Sequence, residues 1–271
     1  MTRSPSPSDG STPDAPMMNP ERYLSRIGVS PETVSEVDLT TLERLQRAHV
    51  TTVPFETLSI TGDPFGERDG EGVVLSLPAL YEKIVVGERG GFCFELGWLL
   101  ADRGFDVTRL AARVVSAIEV PANHHPLLVT LDRPYLVDVG MGPPMLRRPL
   151  ALGDRADPDG AGVEWRTVES DRPDAEFCLQ YRTSGEWTDR YVFDTTPRDL
   201  RYFEATCDYL QHAPESGFTG DTVVLRATET GFVKLDPDAF TRVSGDDTDE
   251  RSIDPDAYAR LLRTEFGIDP P

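Results

Sequence analysis

A chain of 271 residues with 38% hydrophobic residues can bury a substantial core, as one large domain or as two to three smaller ones, and is too apolar to be wholly disordered. No run approaches the roughly 18 to 20 apolar residues of a membrane helix. A formal net charge of −20 argues against nucleic acid or anionic lipid as partners. Of the 27 basic residues only Lys83 and Lys234 are lysine, and the acids lie along the whole chain with a local cluster at Asp246-Asp247-Thr248-Asp249-Glu250. We expect a halophilic protein, whose self-repulsion is screened by high ionic strength.

Residues 1–19, rich in Ser and Pro and lacking an apolar stretch, are expected to be a disordered tail and not a secretory signal, which implies a cytoplasmic location. Helical spacing governs residues 20–53, with Tyr23, Leu24 and Ile27 on one face and Leu39, Leu42, Leu45 and Ala48 on another. Val53 before Pro54 breaks that pattern, since a residue preceding proline avoids the α region. A Gly/Asp loop follows at 63–72, then a helix over 77–86 stopped near Gly87. The diglycine Gly90-Gly91 reads as a turn, and the apolar run behind it as a helix ending at Gly104.

From there the period changes to two. Strands are predicted at 107–115, 126–131, 135–139, 176–181 and 187–193, with Asp132-Arg133-Pro134 as a hairpin connection and an acidic loop at 153–162. The last part mixes a helix at 200–210, strands at 222–226 and 231–235, and a terminal helix at 255–266. Helices first, strands in the middle and a mixed end predict an α+β protein.

Three cysteines, an odd number, make a disulfide framework improbable, and no CxxC or HxxxH spacing points to a metal. Cys93 has a distinctive setting. The diglycine places it at the first turn of a helix, whose positive end favours a thiolate, and Arg89 adds positive charge nearby. Cys178 and Cys207 lack such a setting and read as structural. A thiol nucleophile needs a base, and the base needs a group that holds its tautomer. Of His49, His124, His125 and His212, two open the strand His124-His125-Pro126-Leu127-Leu128-Val129. Its partner would be Tyr135-Leu136-Val137-Asp138-Val139. An acid in an apolar strand is costly to bury unless paired. Across a short hairpin the start of one strand faces the end of the other, so a histidine and Asp138 can meet.

Arg89-Gly90-Gly91-Phe92-Cys93-Phe94-Glu95 resembles the RGGxCxE signature of the arylamine N-acetyltransferases. Val53-Pro54-Phe55-Glu56 is similar to that family's PFEN segment, Leu136-Val137-Asp138-Val139-Gly140-Met141-Gly142 to its DxGFG motif, and Pro214-Glu215-Ser216-Gly217-Phe218 to a late PxSxF segment. The matches run from about Tyr23 to Leu235. The resemblance implies that Cys93 is the acyl-accepting nucleophile, that His124, five residues before Val129, is its base, and that Asp138 completes the triad. His125 would point to the opposite face of the strand, as a flank with at most a weak role at the pocket rim, and His49 and His212 read as structural. Gly97, Thr57 and Met141 depart from the family pattern at positions that would alter which amine fits. Phe55, Met141 and Phe218 are expected to wall the acceptor pocket, and Arg89 is expected to pair with Glu95.

The implied fold is a helical bundle, a β-barrel and an α/β lid with a cysteine-protease-like triad, divided as 1–19, 20–110, 111–212 and 213–271. The implied reaction is ping-pong transfer from acetyl-CoA to small aromatic amines, hydrazines or hydroxylamines, without a metal. Two alternatives use the same residues: an amide synthase fed by a carrier-bound acyl thioester, and a Cys-His-Asp hydrolase.

Overall fold

Capping chemistry and apolar spacing decide where the helices begin and end. The computed structural model describes residues 18–66, 69–91 and 94–270, so the tail up to residue 17 and Cys93 lie outside it. Helix α1 (Pro20–Arg26) is capped by Asn19, whose side chain accepts from the Glu21 and Arg22 amides, with Pro20 pre-set for the first turn. Helix α2 (Leu39–Thr52) is capped by Asp38 on the Thr41 amide and buries Leu42, Leu45, Gln46 and His49 on one face. It stops at Val53, which turns extended before Pro54. Then come β1 (Phe55–Glu56), the single turn α3 (Leu58–Thr61) and α4 (Leu77–Tyr81), which runs on as a π turn over Glu82–Val86. Helix α5 (Phe94–Asp102) starts at the residue after Cys93. Tyr23, Leu42, Leu45, Ile84 and Leu99 form the core shared by these helices.

The predicted alternation appears next as β2 (Asp106–Arg109), β3 (Ala112–Val114), β4 (Leu127–Thr130), β5 (Pro134–Val137), β6 (Leu150–Ala151), β7 (Arg155–Ala156), β8 (Glu164–Glu169), β9 (Phe177–Arg182) and β10 (Thr188–Phe193). One predicted strand, 107–115, is split into β2 and β3. Leu110 donates to the Pro126 carbonyl, but Pro126 has no N–H to return, so the ladder is interrupted there. Strand β5 is buried on both faces: Tyr135 and Val137 face the helical core, and Leu136 faces Trp165, Leu179 and Tyr191 of the neighbouring sheet. Burial on both sides accounts for its unbroken apolar run.

The barrel implied by the resemblance is not found as a closed sheet among the described residues. The strands form two open antiparallel sheets, in the orders β2-β4-β5-β6 and β3-β10-β9-β8-β7. They meet through the bent 106–114 segment, where a single bridge joins Ala112 to His124.

After a 3-10 turn, α6 (Glu204–His212) leads to β11 (Val224–Ala227), β12 (Gly231–Leu235), β13 (Ala239–Ser244), β14 (Asp247–Ser252) and α7 (Pro255–Phe266). The third sheet has the order β1-β11-β12-β13-β14, so its first strand is supplied by residues 55–56. Tyr258, Leu262 and Phe266 of α7 cover its Val233, Leu235 and Phe240. The acidic cluster at 246–250 lies largely on β14, an edge strand exposed along its whole length, where charge blocks pairing with another chain.

Gly90 and Gly91 pass where no side chain fits. The Gly91 amide bonds the Pro54 carbonyl at 3.1 Å. A Cβ on Gly90 would collide with Glu56 and the Pro54 carbonyl, and one on Gly91 with Ile84. The segment that leads to Cys93 is thus pressed against β1.

Candidate active site

Strands β4 and β5 pair with Leu127 opposite Val137, so the residues just before one face the residue just after the other. Asp138 directly follows Val137, and His124, three residues before Leu127, reaches it diagonally. Both backbone groups of His124 are tied to Ala112, at 3.2 and 2.9 Å, which holds the residue before β4 in line. Its Nε2 lies 2.8 Å from Asp138 Oδ2. The other carboxylate oxygen accepts the Gly140 amide at 3.0 Å. Gln46 of α2 donates to the Asp138 carbonyl at 3.2 Å and to Leu146 at 2.8 Å. The Tyr191 ring of β10 lies tilted 4.9 Å from the imidazole, and its side chain favours the ionised form of the carboxylate.

Asp138 is 2% exposed. Burial alone would push its carboxyl up, but the His124 imidazole beside it, with the Gly140 amide and Tyr191, holds it below the usual carboxylate range. A carboxylate on Nε2 selects the tautomer protonated there and leaves Nδ1 with a free lone pair. That is the nitrogen able to take a proton from a nucleophile.

His124 lines a cavity of about 570 Å³. Phe55, Met141 and Phe218, the three residues expected in the acceptor wall, line the same cavity, with Phe55 and Phe218 in ring contact at 5.8 Å. His125 also faces it, in edge contact with Phe203 at 4.9 Å. The two histidines do not split cleanly between pocket and exterior: both are buried in the wall, with different partners. Burial and the neighbouring His124 and Arg109 push His125 well below the ordinary histidine range, so it is neutral. Cys93 lies outside the described residues.

Arg89 has a partner that was not expected. It bonds Glu56 at 3.3 Å, and the Glu95 side chain lies outside those described. Glu56, 4% exposed, also takes Lys83 at 3.1 Å and the Ser59 amide and hydroxyl at 2.9 and 2.7 Å. Burial would raise its carboxyl, but Lys83, Arg89 and Ser59 outweigh that and lower it. Of the residues read as structural, His49 is buried against the Tyr23 hydroxyl at 2.8 Å, and His212 is exposed beside Asp208. Burial pushes the Cys178 thiol up to about 12. Cys207 is half-buried and lines the cavity, with its thiol raised by burial. Among the described residues no group of three or more His, Cys, Asp or Glu is arranged to hold a metal, and no helix is long and apolar enough to cross a membrane.

Sequence reasoning missed Gln46 and Tyr191. A glutamine on the buried face of an apolar helix is a readable signal, because a buried amide needs partners. Tyr191 carried none beyond an aromatic in a strand.

Residues 38–270 match the family model described as N-acetyltransferase. An arylamine N-acetyltransferase of Mycolicibacterium smegmatis is 34% identical over 217 residues, covering 75% of this chain and 74% of that protein. The arylamine N-acetyltransferase / N-hydroxyarylamine O-acetyltransferase of Salmonella typhimurium is 30% identical over 91% of this chain and 87% of its own length. Among solved structures, that of the Mycobacterium marinum arylamine N-acetyltransferase in complex with CoA superposes with a TM-score of 0.78 at 29% identity, covering 92% of this chain and 93% of that one. A Bacillus cereus relative, described as having a unique Cys-His-Glu catalytic triad, also gives 0.78, at 25% identity over 92% of this chain and 98% of that one.

The buried histidines make stability pH-dependent. Burial lowers His49 from the ordinary 6.5 to about 3, and His125 is lowered as well. Below pH 6.5 the unfolded chain therefore binds protons that the folded chain refuses. Stability is complete above the unfolded value and is lost as pH falls from about 6.5 toward 3, by up to about 1.4 kcal/mol per unit for each histidine. The melting temperature should fall between about pH 7.5 and about pH 5. His49→Leu should melt lower at the higher pH, where the Tyr23 hydroxyl loses its partner, yet show a smaller drop between the two. An equal drop in wild type and variant would contradict the assignment.

Proposed function

Because this chain belongs to the arylamine N-acetyltransferase family, we propose that it carries an acetyl group from acetyl-CoA to arylamines, hydrazines or hydroxylamines through a thioester on Cys93. The observation that carries this reading is the buried 2.8 Å bond between His124 and Asp138 at the wall of a largely aromatic and aliphatic cavity. The CoA complex of a structural relative supports the donor. In this reading residues 20–110 bring the nucleophile, 111–212 the histidine and aspartate, and 213–271 a lid, and the enzyme works in the cytoplasm.

His124 Nδ1 takes the thiol proton of Cys93, and the thiolate attacks the thioester carbonyl. The carbon–sulfur bond to CoA then breaks, and His124 returns the proton to the departing CoA sulfur. In the second half the amine nitrogen attacks the acetyl-cysteine carbonyl, His124 takes the proton the nitrogen loses, and the Cys93 thiolate leaves. Asp138 holds the imidazole in one tautomer throughout and offsets the charge it gains in each half. Aromatic amines suit the second half because they are weak bases, neutral and nucleophilic at working pH. Phe55 and Phe218 offer such a ring an apolar wall.

Mixing with free acetyl-CoA should raise the intact mass by one acetyl group, and an arylamine should then remove it. Cys93→Ser should gain nothing. His124→Gln should slow acetylation by about a hundredfold or more, and His125→Gln far less. Acetyl release to water without an amine would favour the hydrolase, and acylation only from a carrier protein the amide synthase. Normal turnover by Cys93→Ser would refute the assignment.

The salt adaptation expected from the charge rests on the net −20 and on exposed acids such as those of β14. Screening relieves repulsion across the whole surface. It also weakens exposed pairs such as Arg133–Asp154, but solvent already screens those, so they contribute little. The melting temperature should therefore rise from low to molar KCl, and a flat or falling curve would remove this part of the proposal.

A further inference from the structure

Strand β10 contains a β-bulge beside the site. Its pairing with β9 runs Thr188 to Tyr181 and Asp189 to Gln180, then resumes at Tyr191 with Leu179, so Arg190 has no opposite residue. In an unbroken strand Arg190 and Tyr191 would point to opposite faces. A bulge inserts one residue and re-aims the side chains around it. Here both serve the same site: the Tyr191 ring lies 4.9 Å from the His124 imidazole, Arg190 reaches the chain just beyond Asp138, and the Asp138 charge acts on the guanidinium.

Arg190 does more than lie near Asp138. Its Nη2 donates to the Gly142 carbonyl at 2.8 Å. Gly140, Met141 and Gly142 line the cavity, and the Gly140 amide is itself held by Asp138 Oδ1. One carboxylate and one guanidinium thus grip the two ends of the same three-residue wall. The guanidinium is half-buried, and its Nε is buried without a hydrogen-bond partner among the described residues. A cation so placed is costly, and the Asp138 charge offsets part of that cost, although burial still lowers the guanidinium pKa.

We propose that Arg190 is a positioning residue of the acetyl transfer, locking the Gly140-Met141-Gly142 wall of the acceptor cavity and keeping a fixed positive charge beside Asp138. This rests on the function proposed above. The titratable and charged groups that face Asp138 are His124 and His125 before β4 and Arg190 and Tyr191 on β10, while α2 presents only the uncharged Gln46. Of the two cations that can form there, only the guanidinium stays charged while His124 cycles its proton. It keeps Asp138 ionised at moments when the imidazole is neutral.

The two roles separate by substitution. Arg190→Lys keeps the charge and loses the planar fork, so the acceptor KM should rise about fivefold, one hydrogen bond's worth. The acid limb of kcat/KM against pH should stay in place. Arg190→Gln loses the charge, and its amide ends two bonds short of Nη2, so the acid limb should move up by roughly half a unit to one unit and the acceptor KM should rise as in Arg190→Lys. Arg190→Met should show both effects. Melting temperatures of all three, taken at neutral pH, report any loss of fold. If all three matched wild type in KM and acid limb, or lost kcat in step with stability while KM and acid limb stayed fixed, Arg190 would have no positioning role. A wild-type enzyme that transfers no acetyl group would overturn this proposal and the function together, whereas an active wild type with unsplit variants would overturn this one alone.

Discussion

An ionised carboxylate at 2% exposure is the constraint around which this part of the molecule is arranged. Desolvating such a group costs several kcal/mol unless each oxygen finds a donor. Asp138 meets that demand with His124 on one oxygen and the Gly140 amide on the other. Those two partners dictate much of the local chain. The β4–β5 register must bring the residues ahead of β4 beside the end of β5, and the Ala112 bridge must hold His124 in line. The chain after Asp138 must turn at once so that the Gly140 amide can point back. Gln46 fastens the same strand end to α2, so a helix from the first core and sheets from the second share one hydrogen-bonded centre.

A second buried carboxylate, Glu56, does comparable work on the other side of the segment that leads to Cys93. It gathers Lys83 and Arg89, from the turn after α4 and the stretch behind it, around the end of β1. Gly90 and Gly91 then pass so close to Pro54, Glu56 and Ile84 that only glycine fits. The chain before the proposed nucleophile is held by ionic contacts and by sterics together. The neutral state of His125 has its own consequence. It places an imidazole in the cavity wall without a charge, so the wall stays hospitable to an aromatic ring.

Legibility in the sequence followed physical clarity. Terminal helix α7, with Pro255 behind the Asp254 cap and Gly267 at its end, was readable to the residue, as was β12. The contact of a histidine with Asp138 was readable because a polar residue in an apolar hairpin has few places to go. Other features were hidden for equally definite reasons. Strand β14 carries so many charges that it read as an acidic cluster, although an edge strand tolerates charge on both faces. Local period said nothing of whether the central strands close on themselves, and they form two open sheets. The pairing of Arg89 with Glu56 joins residues 33 apart, beyond any local sequence window. Nothing in the sequence marked Arg190, because a bulge that overturns strict alternation leaves no local signal.

The central claim is that the His124–Asp138 pair serves Cys93, and thiol alkylation reads it without any assumption about the acetyl acceptor. Limiting iodoacetamide followed by peptide mapping compares the three cysteines in one sample, in wild type and in Asp138→Asn. Cys93 should be labelled well before Cys207, while Cys178, buried with its thiol pushed up to about 12, should stay unlabelled. Asp138→Asn should slow labelling at Cys93 while leaving Cys207 as it was. Equal labelling of Cys93 and Cys207, or a Cys93 rate indifferent to Asp138→Asn, would contradict the account.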